Sequence, residues 1–127
     1  MLKRGLKIYF DGGCKPNPGQ MEIAVVARGV TYHRADCGHG TSNDAEWLAL
    51  IYALEVALAI GARDVVMLGD SALVVSQATG TAKCRNDDLR AHRTAFLTLK
   101  PQFDGIRIRR IGRNQNLAGI ALAKTRH

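Results

Sequence analysis

Residues 6–19 read Leu6-Lys7-Ile8-Tyr9-Phe10-Asp11-Gly12-Gly13-Cys14-Lys15-Pro16-Asn17-Pro18-Gly19. The first six alternate. Leu6, Ile8 and Phe10 take one side, and Lys7, Tyr9 and Asp11 the other. A period of two predicts a strand over 6–11 that delivers Asp11 at its end. The Gly- and Pro-rich segment 12–19 then predicts a turn. Working outward, residues 21–28 and 30–37 read as two more strands around Gly29. Three consecutive strands with short connections form an antiparallel meander.

The period changes at residues 43–60. Trp47, Ile51, Leu54 and Leu58 recur at helical spacing, and Gly61 is placed to end the helix. Val65–Leu68 is a short continuous apolar run, the pattern of a strand buried on both faces, and it ends at Gly69-Asp70. A short helix is expected through Gln77, broken at Gly80. A second is expected over 86–99, before Pro101. Residues 106–111 alternate Ile with Arg and predict a strand, and the Ala- and Leu-rich 116–125 predict a last helix. The order β-β-β-α-β-α-α-β-α predicts an α/β fold. Its five-stranded mixed sheet has three antiparallel strands and then parallel ones, flanked by helices. Residues 1–127 are expected to form one domain.

Composition narrows the class. The chain carries a net charge of +7, which suits a phosphate backbone but also solubility or acidic lipids. No run is long and apolar enough to cross a bilayer. Met1-Leu2-Lys3-Arg4-Gly5 starts basic, yet no apolar stretch and cleavage site follow, so no secretion signal is expected. The three cysteines, Cys14, Cys37 and Cys84, are odd in number and widely spaced. They suggest neither a disulfide framework nor a zinc site, and a cytoplasmic location is expected.

Three acids stand where chemistry is done. Asp11 ends the first strand, Glu46 lies in the first turn of the long helix, and Asp70 follows the buried fourth strand. Ligand sites of open sheets lie beyond the carboxyl ends of strands, so Asp11 and Asp70 meet if their strands are neighbours. Clustered carboxylates repel unless a cation intervenes, and Mg²⁺ takes oxygen ligands. Two such ions about 4 Å apart can serve both the attacking and the leaving oxygen of a phosphodiester. Each acid also has a plain structural reading. Asp11 could start the turn, Glu46 could close a capping box opened by Asn43, and Asp70 could cap the next helix.

Four motifs, in order, carry a family resemblance across nearly the whole chain. Asp11–Gly19 resembles D-G-S/G-x-x-x-N-P-G, and Thr41-Ser42-Asn43-Asp44-Ala45-Glu46 resembles T-[NS]-N-x-x-E. Gly69-Asp70-Ser71-Ala72-Leu73-Val74-Val75 is similar to [SG]-D-S-x-L-V-V. Gln77 to Leu89 is similar to the Q-x-x-G-x-x-K-x-[KR]-N-x-x-L of short bacterial and archaeal members. The family is type 1 ribonuclease H. The resemblance implies an endoribonuclease that hydrolyses the RNA strand of RNA–DNA hybrids with two Mg²⁺ ions, Mn²⁺ being a substitute. The expected products carry 5′-phosphate and 3′-hydroxyl ends. It implies Asp11, Glu46 and Asp70 as catalytic metal ligands. It implies Gly12, Cys14, Asn17, Ser42 and Asn43 as substrate contacts, Cys14 and Asn17 facing the minor groove.

The chain departs from the family twice. The last helix usually supplies a fourth carboxylate, in a pattern like R-x-x-N-x-x-A-D-x-L-A. Here Asn116 keeps the family Asn, Ile120 stands where the Asp belongs, and no acid follows Asp104. Asn116 is therefore the candidate neutral oxygen ligand, with Asn114 behind it; the plain reading is that Asn116 caps the last helix. The family histidine before that helix is also missing: the loop reads Gly112-Arg113-Asn114-Gln115. His33, His39, His92 and His127 are read as surface residues. The extra basic helix of some relatives is not expected. Lys83, Arg85 and Arg113 are the phosphate-binding candidates, among further cations at Arg90, Arg93, Arg107, Arg109 and Arg110. No obligate protein partner is implied, and a monomer is expected. The competing functions are a non-cleaving hybrid-binding domain and a related nuclease acting on double-stranded RNA.

Overall fold

A computed structural model describes residues 5–125. The basic start at Met1–Arg4 and the reading of His127 lie outside them. Strand β1 spans Leu6–Cys14, β2 Gly19–Ala27, β3 Val30–Arg34 and β4 His39–Gly40. Helix α1 spans Ser42–Ala59 and is followed by β5 (Asp64–Gly69), α2 (Ala72–Thr79) and α3 (Asp87–Leu99). Then come β6 (Gly105–Arg110) and α4 (Leu117–Thr125), with single 3-10 turns at Lys100–Gln102 and Arg113–Gln115. The sheet order is β3-β2-β1-β5-β6. β1 is antiparallel to β2, and β2 to β3; β5 is parallel to both β1 and β6. This is the expected mixed sheet.

Three local differences matter. β1 does not stop at Asp11. It continues with Gly12 opposite Ile23, Gly13 opposite Glu22 and Cys14 opposite Met21, so the turn is shorter than expected. β3 ends at Arg34 because the chain then swings back to the start of β2. There Cys37 N donates to Met21 O (3.1 Å) and Met21 N to Gly38 O (2.8 Å). The two-residue β4 follows, pairing Gly19 with Gly40 and Gln20 with His39. It is too short to leave a periodic signal.

The sheet is packed on both faces. One face buries Ile8, Phe10, Val65 and Met67 against Trp47, Leu50 and Leu54 of α1 and Phe96 of α3. Each such side chain contributes about 1.5–3 kcal/mol of burial. Trp47 meets Phe96 edge-on, with centroids 6.1 Å apart, and its indole N–H donates to buried Gln77 Oε1 at 2.8 Å. On the other face α4 lays Ala118 and Leu122 over Ala24 and Val26. No described helix is long and apolar enough to cross a membrane.

The caps settle two of the open readings. Thr41, not Asn43, caps α1. Its Oγ1 accepts from Asp44 N (3.1 Å), while Asp44 Oδ2 accepts from Thr41 N (3.0 Å). Ser71, not Asp70, caps α2, its Oγ accepting from Val74 N at 3.2 Å. Asp44 and Ser71 therefore do the structural work that Glu46 and Asp70 could have done, and both acids are released for another role.

Candidate active site

Register brings the acids together. β1 and β5 run parallel with Tyr9 beside Leu68, so two residues further along Asp11 and Asp70 sit side by side at the carboxyl edge. α1 presses Glu46 in from the next layer. The contact is close: a Cβ on Gly12 would lie 2.2 Å from Ala45 O, so only glycine fits there. In return Gly12 N–H donates to Glu46 Oε1 at 3.0 Å. Asp11, Glu46 and Asp70 each offer a carboxylate oxygen, all within 4.8 Å of one another. They line a cleft of about 590 Å³ together with Gly12, Cys14, Ser42, Asn43 and Arg113.

The electrostatics of this trio call for a cation. The Glu46 carboxyl is pushed up to about 9, first by burial and then by the charges of Asp11 and Asp70. The hydrogen bond from Gly12 acts the other way but does not win. Three oxygens this close, all from hard carboxylate donors, fit a divalent ion such as Mg²⁺.

The comparisons agree with this geometry. The family profile described as reverse transcriptase-like matches residues 9–126. The chain is 38% identical over 120 residues to ribonuclease HI of Halobacterium salinarum, covering 91% of this chain and 60% of that relative. The crystal structure of RNase H1 from the same halophilic archaeon superposes with a TM-score of 0.84 at 34% identity, over 92% of each chain. The chain belongs to the ribonuclease HI family. LC11-RNase H1, solved in complex with an RNA/DNA hybrid, is similar at a TM-score of 0.82 and 31% identity, again over 92% of each chain. The chain spans less than two thirds of the length of the curated relatives it matches, 34% in the case of the mycobacterial ones.

Against the ribonuclease HI pattern, Asn116 needs a correction. It is fully buried, and its amide faces the site with nitrogen, not oxygen. Nδ2 donates to Asp70 Oδ2 and to Phe10 O, both at 3.0 Å. Oδ1 turns away and accepts from Ala118 N at 3.1 Å. Flipping the amide would set oxygen against two acceptors and nitrogen against an N–H, so the orientation is determined. The structure therefore does not make Asn116 a metal ligand. It caps α4 and holds Asp70. Ile120, where the family acid belongs, lines the same cleft and brings no charge.

The remaining candidates divide. Cys14, Ser42, Asn43 and Arg113 border the acids of this ribonuclease HI site. Asn17 sits behind them, its Oδ1 accepting from Ser42 N (3.1 Å) and Cys14 Sγ (3.6 Å), which ties the 15–18 turn to the start of α1. Cys14 is buried, 7% exposed. Lys83 and Arg85 stand apart; Lys83 lines a separate cavity with Arg90 and Arg93. His92 is not the plain surface residue expected. Its Nε2 lies 2.9 Å from Asp44 Oδ1, joining α3 to the first turn of α1. Asp44 itself is detectable from the Thr41-x-x-Asp44 spacing, a shortened capping box. Its partner His92, 48 residues further on, has no sequence signal.

Proposed function

We propose that this chain hydrolyses the RNA strand of RNA–DNA hybrids with two divalent ions, Mg²⁺ or Mn²⁺, and leaves 5′-phosphate and 3′-hydroxyl ends. The convergence of Asp11, Glu46 and Asp70 on one point of a cleft carries the reading. Divalent ions bound there would supply an activated water and offset charge on the leaving oxygen. Asp11, Glu46 and Asp70 would hold them, with Glu46 giving up its proton on binding. Gly12 N–H fixes one Glu46 oxygen, and Asn116 fixes one of Asp70.

Substrate choice falls to the rim. Ser42 and Asn43 occupy the first turn of α1, where the helix dipole favours phosphate. Cys14, and Asn17 through Ser42, border the path of a minor groove, where the 2′-hydroxyl separates RNA from DNA. Arg113 at the cleft, and Lys83 and Arg85 beyond it, are proposed phosphate contacts. A monomer without obligate partner and a cytoplasmic location complete the proposal; the three unpaired cysteines suit a reducing compartment.

A second reading, a hybrid-binding domain that does not cut, is favoured by one observation: Ile120 leaves the site without a fourth acid. One assay separates the readings. Labelled hybrid, double-stranded RNA, double-stranded DNA and single strands are incubated with Mg²⁺, Mn²⁺ or chelator. Hybrid RNA is expected to be cut in metal only, and the activity lost in Asp11→Asn and Asp70→Asn. Binding without cutting under every metal would establish the binder; equal cutting of duplex RNA or DNA would overturn the substrate assignment.

A further inference from the structure

The face of the sheet that carries α4 is only partly covered. α4 packs on β1, β2 and β3. Beside it, among the described residues, no further helix packs on this face, and what the face presents is ordered by register. Lys7, Val66 and Arg107 form one row across β1, β5 and β6, and Tyr9, Leu68 and Arg109 form the next. Asp11 and Asp70 stand one row further on. All of these share a face, because their neighbours Ile8, Phe10, Met67 and Ile108 pack into the core on the other side. Val66 and Leu68 lie buried beneath this surface, Tyr9 is half-buried and leans on the α4 cluster, and Lys7, Arg107 and Arg109 are exposed. None of these three cations has an ion-pair partner among the described residues.

The dimensions follow from the sheet. Strands about 4.8 Å apart set the stems of Lys7 and Arg107 roughly 10 Å apart across the face, and successive rows lie about 7 Å apart along it. Exposed cations on two flanks with one partly exposed tyrosine between them suit a single strand, whose phosphates can meet the flanks while a base stacks on the ring. The rows also lead into the metal-binding acids without a break.

We propose that this open face holds single-stranded nucleic acid running on from a hybrid in the active site, gripped by Lys7, Arg107 and Arg109 beside Tyr9. The proposal rests on the hybrid-cleaving reading for the placement of the duplex, so the test measures both. Affinity is read by fluorescence anisotropy in chelator for a blunt hybrid and for hybrids with a single-stranded extension at either end. Cutting of the blunt hybrid in Mg²⁺ is followed in parallel. An extension at one end is expected to tighten binding about 3- to 10-fold, and Arg107→Ala/Arg109→Ala to abolish that gain while blunt binding and cutting persist. The charge-matched Arg63→Ala/Lys100→Ala, at exposed positions in the loop before β5 and directly after α3, should keep the gain. If the double variant fails to fold, Lys7→Ala on the opposite flank should lose part of it. No gain from either extension, a gain that survives the double variant, or equal weakening of blunt and extended hybrids would overturn the proposal. If the blunt hybrid is neither bound nor cut, the hybrid-cleaving reading fails. The face is then judged on a free single strand, which the wild type must bind and the double variant must not.

Discussion

Glu46 holds its proton up to about pH 9 because burial and the carboxylates of Asp11 and Asp70 all oppose its charge. Its ordinary value is 4.5, so the sign of the linkage is clear. Below 4.5 folded and unfolded chains both keep the proton. Between 4.5 and 9 only the unfolded chain gives it up, so the metal-free fold loses stability as pH rises; above 9 the loss levels off. Glu46→Gln should remove that slope. In chelator its Tm should exceed the wild type's at about pH 8, by about 3–5 °C for each kcal/mol gained, with the gap closing near pH 4. Cutting should be lost in the same variant. Asn116 makes a second test at this scale. Asn116→Ala removes a cap and leaves Phe10 O without its donor, a loss of about 1–3 kcal/mol in denaturant unfolding. Asn116→Asp should be worse still, since it sets a buried carboxylate against Asp70 Oδ2 and Phe10 O. A ligand role would instead show as tighter metal binding in Asn116→Asp.

At the scale of elements, the site depends on how closely α1 crosses β1. Gly12 is the point of nearest approach, and Gly12→Ala must push the strand and helix apart, because the clash is with backbone and not with a movable side-chain tip. A destabilisation of about 1–3 kcal/mol is expected. The informative readout is metal titration: displacing Glu46 should raise the metal concentration for half-maximal cutting beyond what the stability change explains. Unchanged metal dependence would mean that the contact only packs the fold. The N-terminus of α1 is secured from outside as well. The buried Asp44 carboxyl would be raised by desolvation, yet the hydrogen bonds from Thr41 and His92 outweigh this and hold it below its ordinary value. α3 and the cap of α1 are joined at that point.

At the scale of the whole molecule, charge governs the encounter with substrate. The chain carries an excess of +7, with Arg113 at the cleft and Lys83 at a separate cavity. If Lys83, Arg85 and Arg113 each neutralise one phosphate, a slope of about −0.9 per contact predicts roughly 40-fold weaker hybrid binding for a four-fold rise in salt. Arg113→Ala should lower the slope of log affinity against log salt by about one and weaken all sequences alike. An unchanged slope would remove Arg113 from the phosphate contacts. These measurements need chelator, so that binding is read apart from cutting.

The sequence by itself determined the elements and the acids. Alternation over Leu6–Asp11, the apolar run Val65–Leu68 and the helical period around Trp47 report which face each segment buries, and that is a local property. Asp11, Glu46 and Asp70 were legible as a set because strand ends and the four motifs place them. Tertiary structure alone decided which polar group satisfies which. Thr41 and Ser71 cap the helices that Asn43 and Asp70 could have capped, Asn116 aims its N–H groups at Asp70 and Phe10, and His92 reaches Asp44. Each is a choice among competing donors and acceptors; the caps are made within three residues, while packing between distant segments makes the Asn116 and His92 contacts. The open basic face is of the same kind. Lys7, Arg107 and Arg109 become neighbours only when β5 aligns β1 with β6.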